Sequence, residues 1–399
     1  MTQPFQEKRL GDVCKTGSGG TPLKAHKDYY EDGTIPWLVS GEVSQGEIHQ
    51  AKHFITPKGL ANSSAKLFPK DTVLIAMYGA TAGEVGILRF EASTNQAICG
   101  IHPNPNMLPE FLFYFFLHKK AELIAQATGN AQPNISQIKI KNTLIPIHPL
   151  PEQKRIVATL DQAFTTIDQA KANVERNLQN AKDLFQSQLN EVFSQNVESW
   201  AEMSLEELSV DLITKGATPT TYGFPFVDKG IPFLRSECVS GKGFNPKGIR
   251  YISDEAHEMM KRSVVKQGDI LISITGNIGR VTRYPTEMDS GNINQHIARV
   301  RILKSTADVD FVVYQIQSDV IQSHYQSIYN GAAYPLLSLK QIRETKVFIP
   351  NAEKQKQLVN LLNSLKVETV NLESGYQGEL DALAELKISI LQKAFKGEL

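Results

Sequence analysis

The sequence predicts a mixed α/β (α+β) protein in which two homologous globular domains are separated by two long helices that pair as an antiparallel coiled coil. Three observations predict this class: motifs that occur twice along the chain, a heptad pattern of apolar residues after each copy, and short apolar runs that end at glycine within each copy. The order domain, helix, domain, helix gives the chain a pseudo-twofold internal repeat.

The repeat is carried by short motifs at matching places in the two halves. The Thr-Pro pair at Thr21 returns at Thr218, the Asn-Gln pair at Asn95 returns at Asn294, and the Ile-Pro-aromatic-Leu run at Ile35 returns at Ile231. The offset between the copies drifts from 196 to 202 in the globular parts and then stays at 202 from Pro133 to the end. A constant offset indicates long helices, in which an insertion would break the register.

These motifs divide the chain into four segments. We predict a first globular domain at residues 1–150, a helix at 151–203, a second globular domain at 204–350 and a second helix at 351–399. The net charge is zero for the whole chain, but residues 1–150 hold 14 Lys+Arg against 12 Asp+Glu, and residues 204–350 hold 17 against 15. Each globular segment is therefore +2, which permits binding to nucleic acid without proving it.

Both helical segments carry apolar residues at alternating spacings of four and three, which predicts one apolar seam on each helix. Each helix would run ~40 residues and hence ~60 Å at 1.5 Å per residue. The frame continues through polar Asn177 to Leu184 in the first helix and through Glu379 to Leu386 in the second. The seam positions are Ile156, Leu160, Ile167, Val174, Leu358, Leu362, Leu365 and Leu372. We expect the two helices to pair with each other, and two separate seams for outside partners are the alternative.

Within the globular repeats, the runs Asp71–Met77 and Asp269–Thr275 are apolar and end at glycine, so they predict strands. The stretches Pro109–Thr128 and Asp310–Tyr329 predict buried helices. The glycines from Gly79 to Gly86 are spaced GxxxGxxG rather than GxGxxG, so we favour a strand-connecting turn over a nucleotide-binding loop.

Motifs of catalysis are not recognisable in this sequence. We find no phosphate-binding GxxxxGK[ST] loop, no NPPF/Y-type motif for a target adenine, and no nuclease or Ser/His/Asp pattern. The three cysteines and nine histidines lack the spacing of a zinc site or a disulfide framework. With no apparent secretory signal and no apolar run long enough to span a membrane, the sequence favours the reduced cytoplasm. We therefore expect no catalytic residue, cofactor site or metal site in this chain.

The Gly-Gly-Thr-Pro run at Gly19, the Pro-Glu-Gln-Lys-Arg-Ile-Val start of the long helix at Pro151 and the C-terminal Leu-Gln-Lys-Ala-Phe run at Leu391 resemble the specificity (S) subunit of type I restriction–modification systems. The resemblance covers essentially the whole chain. It implies that each globular repeat is a target recognition domain that reads one half of a split double-stranded DNA site. It also implies that the paired helices hold the halves at a fixed spacing and dock two methyltransferase (M) subunits. These subunits would bind S-adenosylmethionine, and separate restriction/motor (R) subunits would use ATP and Mg²⁺.

The repeat also suggests which residues could read bases. If the two half-sites differ, residues identical in both copies cannot distinguish them, so the pairs Asn95-Gln96 and Asn294-Gln295 favour a structural or phosphate-contacting role. Divergent polar residues in matching frames are better candidates, and Arg235 is the best single one because arginine commonly binds guanine through two hydrogen bonds. The candidates are Lys24, His26, Tyr78, Thr81, Gln132, Asn134, Thr220, Tyr222, Arg235, Thr275, Asn277 and Tyr334.

Two other classes of function stay open at this point. One is a self-contained DNA methyltransferase or nuclease whose motifs are not recognisable. The other is a coiled-coil scaffold that binds only protein. Methyl transfer by the chain alone would favour the enzyme, and the absence of any DNA protection by the partner complex would favour the scaffold.

Overall fold

The computed structural model describes residues 6–127, 134–195, 197–241, 243–329 and 336–399. The chain forms two compact units: unit 1 is Met1–Glu175 with Gly378–Leu399, and unit 2 is Arg176–Gln377. Two helices of 45 residues each, α5 (Leu150–Ser194) and α11 (Ala352–Lys396), contribute a segment to both units. The mixed helix and sheet content and the long helix that follows the first globular part confirm the predicted fold class.

Unit 1 is built on two sheets and a two-stranded ribbon. Its strands are β1 (Glu7–Arg9), β2 (Thr16–Ser18), β3 (Ile35–Leu38), β4 (Glu47–Ile48), β5 (His53–Ile55), β6 (Leu67–Phe68), β7 (Thr72–Ala76), β8 (Val85–Leu88), β9 (Ala92–Thr94), β10 (Ile98–Ile101) and β11 (Leu144–Pro146). The larger sheet has the order β2-β10-β7-β8-β4, the second has the order β5-β3-β9-β6, and β1 pairs with β11. All five residues of β7 are buried, which explains why this strand is a continuous apolar run in the sequence.

Unit 2 repeats this strand arrangement. Its strands are β12 (Ala201–Ser204), β13 (Thr214–Lys215), β14 (Ile231–Leu234), β15 (Val239–Ser240), β16 (Gly243–Phe244), β17 (Arg250–Ile252), β18 (Val264–Val265), β19 (Ile270–Ser273), β20 (Val281–Arg283), β21 (Gly291–Ile293), β22 (Ile297–Val300) and β23 (Lys346–Ile349). The sheets have the orders β13-β22-β19-β20 and β17-β14-β21-β18, with β12 paired to β23 and β15 to β16. The order of the shared strands therefore matches unit 1, and among the described residues the β13-β22-β19-β20 sheet of unit 2 has no counterpart of β4.

The shorter helices also correspond between the units, with one difference. They are α1 (Leu10–Val13), α2 (Pro57–Ala61), α3 (Pro109–Ala125) and α4 (Gln137–Asn142) in unit 1, and α6 (Leu205–Leu208), α7 (Asp254–Met259), α8 (Val309–Gln317), α9 (Asp319–Tyr329) and α10 (Leu339–Glu344) in unit 2. The prediction of one helix over Asp310–Tyr329 is wrong, because the helix is interrupted at Ser318. Ser318 adopts an extended conformation, its hydroxyl donates to the carbonyl of Gln315 at 2.7 Å, and α9 starts afresh at the next residue.

In unit 1 the first part of α5 and the last part of α11 run antiparallel. Arg155 donates to the carbonyl of Leu399 at 3.1 Å, and Lys387 forms an ion pair with Asp168, so residue numbers rise along one helix as they fall along the other. Leu160 on α5 and Leu391 on α11 belong to the same hydrophobic core as α3. In unit 2 the other halves of these helices share a core, which contains Leu189, Leu358 and Leu362.

The buried face of each long helix leaves the predicted heptad frame near its middle. Ile156, Leu160 and Ile167 are buried and Val174 is half-buried, but Asn177 and Leu184 are exposed. Ala181 is buried as the frame predicts, while Leu178, Phe185 and Leu189 complete the inner face from outside the frame. On α11, Leu358 and Leu362 are buried and Leu365 is half-buried. The assignment of Leu372 to the seam is wrong, since its side chain is 42% exposed, and the prediction for Leu386 fails in the same way at 45%.

The beginning of each long helix is attached to its unit by a buried glutamine. Gln153 accepts a hydrogen bond from the backbone N–H of Leu108 at 2.8 Å and donates to the carbonyls of Asn106 and His148 at 2.9 and 2.8 Å. Gln355 accepts from the N–H of Asp308 at 2.7 Å in the same manner. The glutamine of the helix-start motif therefore binds the loop that precedes α3 or α8.

Candidate nucleic-acid interface

In unit 1, segments far apart in the sequence meet at the carboxyl end of β7. The backbone N–H of Met77 donates to the carbonyl of Ala97 at 2.7 Å, and its carbonyl accepts from the N–H of Ile135 at 2.9 Å. Next to it, Tyr78 forms an antiparallel bridge with Asn134, and both residues are exposed. Two of the candidate base-reading residues are thus neighbours on the surface.

The Gly-Gly-Thr-Pro motif lies beside these residues. The hydroxyl of Thr21 donates a hydrogen bond to the side-chain carbonyl of Gln96, and Trp37 Nε1 donates to the carbonyl of Gly20 at 3.0 Å. A Cβ atom at Gly19 would stand 2.0 Å from the carbonyl oxygen of Thr94, so only glycine fits there. We call Thr21, Tyr78, Gln96 and Asn134 the unit 1 cluster.

Unit 2 builds the same arrangement with different side chains. The hydroxyl of Thr218 donates to Oε1 of Gln295 at 2.5 Å, and Nε2 of Gln295 lies 3.0 Å from Nε2 of His296. Nδ1 of His296 is hydrogen-bonded to the hydroxyl of Thr275 at 2.5 Å, and Thr275 forms an antiparallel bridge with Leu336. We call Thr218, Thr275, Gln295 and His296, with Leu336, the unit 2 cluster.

Asn95 and Asn294, the asparagines that are identical in the two copies, act on the backbone. Oδ1 of Asn95 accepts from the N–H of Ala97 at 3.1 Å, and Oδ1 of Asn294 accepts from the N–H of His296 at 3.0 Å. Their own N–H groups donate to the carbonyls of Leu38 and Leu234, at 2.9 Å in each case. These contacts support a structural role for the repeated asparagines, since their acceptor atoms hold the turn that presents the following glutamine.

The glycines after β7 form the predicted strand connection. Gly79 and Gly83 have φ angles of +74° and +81°, and the N–H of Ala76 pairs with the carbonyl of Glu84 at 2.9 Å across the turn. Thr81 lies in this turn and is half-buried. Asn277, its counterpart in unit 2, is exposed. These two candidates therefore flank the two clusters.

The structure places the other candidates in several surroundings. Lys24 lines a shallow groove of about 660 Å³ with Trp37 and His53, and His26 stacks on Tyr29 with ring centroids 4.8 Å apart. Thr220 and Tyr222 are exposed on a short turn that starts at Pro219. Two further candidates fall outside the described residues: Gln132 and Tyr334.

Arg235 is more restrained than the sequence suggested. Its Nε donates to the carbonyl of Gly248 at 3.0 Å, and its Nη1 lies 3.4 Å from a carboxylate oxygen of Glu237. A guanidinium has five N–H groups, so these contacts leave donors for another ligand. Arg235 therefore keeps the capacity to bind a base edge, and its assignment as a base reader stays a prediction.

Unit 2 also contains a cationic groove that the sequence pattern does not indicate. Seven lysine and arginine side chains and one aspartate line a space of about 690 Å³ next to β13 and β22. Arg299 on β22 lies within it, and burial together with the charge of Arg301 lowers the pKa of its guanidinium. The lysines and arginines of the groove come from four separate stretches, near residues 215, 262, 300 and 343. No local run of basic residues therefore indicates the groove in the sequence.

The three thiols are unsuited to nucleophilic chemistry. Burial raises the pKa of Cys14 and Cys238 to about 11 and that of Cys99 to about 12, so each thiol is protonated near neutral pH. Within the described ranges, histidine, cysteine, aspartate and glutamate form no group of three that could hold a metal ion. In the same part of the chain, every helix is too short or too polar to cross a membrane.

Comparison with known proteins places this chain in a family. A family model described as the type I restriction modification DNA specificity domain matches twice, at residues 2–177 and 197–382. A Methanocaldococcus jannaschii type I restriction enzyme MjaIX specificity subunit is 24% identical over 424 residues, which cover 100% of this chain and 94% of that subunit. An Escherichia coli type I restriction enzyme specificity subunit is 25% identical over 177 residues, or 43% of this chain and 44% of that subunit.

Comparison of the fold with solved structures gives the same result. A solved structure from work on complex assembly and conformational transition of the type I restriction–modification system superimposes with a TM-score of 0.81, at 21% identity, over 100% of both chains. The two matches of the family model coincide with the two copies of the sequence motifs and with the two sets of sheets. The chain therefore belongs to the family of type I restriction–modification DNA specificity proteins.

Proposed function

We propose that this chain is the DNA-reading subunit of a type I restriction–modification complex, and that each unit reads one half of a bipartite double-stranded target. The observation that carries the proposal is the duplicated cluster: both units hold a Thr–Gln hydrogen bond and a bridge at the end of the central strand. The same frame presents Tyr78 and Asn134 in unit 1 but Thr275 and Leu336 in unit 2. A shared frame with different side chains suits two related domains that read different sequences.

The exposed groups at the clusters have the chemistry that base edges require. The amides of Asn134 and Asn277 can both donate and accept, as adenine N6 and N7 require, and the phenol of Tyr78 can do the same with one group. The leucine at 336 is 48% exposed and can contact a thymine methyl group. Each correct base contact is worth about 1–3 kcal/mol of discrimination.

The long helices supply surfaces for protein partners. On α11, Leu361, Val367, Val370 and Leu372 are all more than 40% exposed in unit 2, and Leu386 and Ile388 are in unit 1. Exposed apolar residues in such number mark interaction surfaces. We propose that they contact methyltransferase subunits, which would bring S-adenosylmethionine, while restriction subunits would bring ATP and Mg²⁺. In this proposal the chain itself directs catalysis and performs none.

The test is methylation in the presence and absence of the partner. The full-length chain is co-expressed with an adenine methyltransferase subunit, and methylated sites are mapped by sequencing. We expect a split target, and we expect exchange of residues 1–150 for the corresponding domain of another family member to change one half-site only. Methyl transfer by the purified chain without a partner, or a change of both half-sites, would contradict the proposal.

A further inference from the structure

The cationic groove of unit 2 contains charge that the protein does not neutralise. Lys215, Arg262 and Lys266 are exposed at its rim. Deeper in, Arg301 is paired with Asp269 through hydrogen bonds of 2.7 and 2.8 Å, so its charge is compensated. Lys261 is paired with Glu258 at 2.9 Å, so the excess resides in the three rim cations and in the two remaining arginines of the floor.

Two floor arginines donate to backbone carbonyls, and each has its nearest carboxylate oxygen 4.0 Å away, on Asp211 for Arg299 and on Glu206 for Arg343. Arg299 is only 7% exposed. Its Nη1 and Nη2 donate to the carbonyls of Val264 and Leu212 at 2.9 and 3.1 Å. The nearest carboxylate oxygen, on Asp211, is 4.0 Å from Nη2. Arg343 donates to the carbonyl of Ile213 at 2.9 Å. The Nε atoms of both arginines are buried without a hydrogen-bond partner. A buried guanidinium without a close counter-ion is costly, so an anion in the groove would relieve that cost.

Among the described residues of unit 1, the position that corresponds to Arg299 is filled differently. Strand register equates Arg299, which pairs with Leu271, to Gly100, which pairs with Leu74. A Cβ at Gly100 would stand 2.5 Å from the ring of Phe68, and Phe68 also packs on His102 with ring centroids 5.4 Å apart. An aromatic ring thus occupies in unit 1 the space that cations line in unit 2.

Two of the segments that line the groove lead along the chain to the unit 2 cluster. Lys215 is three residues before Thr218 on the same segment, and Leu339, which also lines the groove, is three residues after Leu336. Resting on the proposed function, we propose that this groove binds backbone phosphates of the DNA read by unit 2, and that unit 1 lacks an equivalent phosphate site. Non-specific affinity and its salt dependence then come unequally from the two halves of the chain.

The experiment measures the salt dependence of binding by the full-length chain. A variant with Lys215→Gln, Arg262→Gln and Lys266→Gln removes only exposed rim cations. The control variant with Lys229→Gln, Lys247→Gln and Lys304→Gln removes three exposed lysines of unit 2 that lie outside the groove. Binding to two fluorescein-labelled duplexes of unrelated sequence is titrated at several salt concentrations, and melting temperatures confirm that all variants fold.

For the groove variant we expect weaker binding to both duplexes and a salt slope reduced by about 3, since each lost phosphate contact lowers the slope by about 1. For the control variant we expect the wild-type slope. Equal slopes for the groove variant and the control would overturn this inference while leaving the proposed function intact. Inorganic phosphate at constant ionic strength that stabilises only the wild type, with unchanged DNA slopes, would reassign the groove to a free anion. Wild-type chain that binds no duplex would overturn both proposals.

Discussion

Gln153 offers a direct test of how the long helix is joined to unit 1. Its fully buried amide serves one backbone donor and two backbone acceptors, on Leu108, Asn106 and His148. Gln153→Ala leaves these three groups without their side-chain partner and opens a small cavity. A buried polar group without a partner costs about 1–3 kcal/mol. Because the carbonyls can relax more readily than the N–H, we expect a total loss of roughly 2–4 kcal/mol.

Gln153→Glu separates hydrogen bonding from packing. The glutamate has the same shape and keeps the acceptor for Leu108, but it places a carboxylate oxygen against the carbonyls of Asn106 and His148. We therefore expect it to be at least as destabilising as alanine. Gln162→Ala, at an exposed position of the same helix, is the matched control and should stay within about 0.5 kcal/mol of wild type.

The assay is denaturant and thermal unfolding of the full-length chain followed by circular dichroism. For a unit of this size, each kcal/mol lowers the melting temperature by roughly 2–4 °C, so Gln153→Ala should lower it by roughly 4–16 °C. The reasoning is refuted if Gln153→Ala and Gln162→Ala melt together, or if Gln153→Glu is as stable as wild type. Either result would mean that the amide contacts do not hold the start of the helix.

Three further outcomes follow from burial and titration. Leu362→Ala should cost about 2–5 kcal/mol, because Leu362 is fully buried, whereas Leu361→Ala at the exposed neighbouring position should cost little in the same unfolding assay. The three buried thiols should be inert to an alkylating reagent in the native chain and react fully in denaturant, as mass spectrometry would show; early labelling of Cys14 would contradict its burial. Burial lowers the pKa of His118, so the unfolded chain binds its proton first and the stability contributed by the neutral ring is lost as pH falls below about 6.5. His118→Gln should therefore reduce the drop in melting temperature between about pH 7.5 and 5.5.

The architecture could be predicted because its signals are long and repeated. Two copies of each motif, a constant offset and a heptad pattern all indicate the same order of elements, and the structure has it. The details of the helices escaped prediction for a physical reason. A straight α-helix drifts relative to a strict heptad, and after Val174 the inner face passes to Leu178 and Phe185 rather than to Asn177 and Leu184. In α11 the inner face likewise passes to Leu380 and Lys387, which lie 202 residues after Leu178 and Phe185. The change of face therefore occurs in both copies of the repeat.

The location of the candidate clusters was predictable, while their internal contacts were not. Comparison of matching frames in the two copies selects Tyr78, Asn134 and Thr275, which the structure places next to the ends of β7 and β19, whereas His296 is not among the candidates. Nothing in the spacing of Thr218, Thr275 and His296 indicates that these side chains form one hydrogen-bonded chain. That chain depends on the antiparallel pairing of β19 with β22, which brings residues about twenty apart into contact.

At the cationic groove, strand register establishes which residues of the two copies are equivalent. Between the two copies the sequence offset drifts, so sequence alone does not say that Gly100 and Arg299 are equivalent. The pairings with Leu74 and Leu271 establish it, and they equate Phe68 with Val265 through Ala92 and Gly291 in the neighbouring sheet. Glycine thus accommodates a large ring in unit 1, whereas in unit 2 an arginine takes the place of the glycine and the smaller valine takes the place of the ring. The same strand arrangement thus holds an aromatic ring in unit 1 and cations in unit 2. A chain of this kind can divide sequence reading between its halves while leaving the binding of backbone phosphate mainly to one of them.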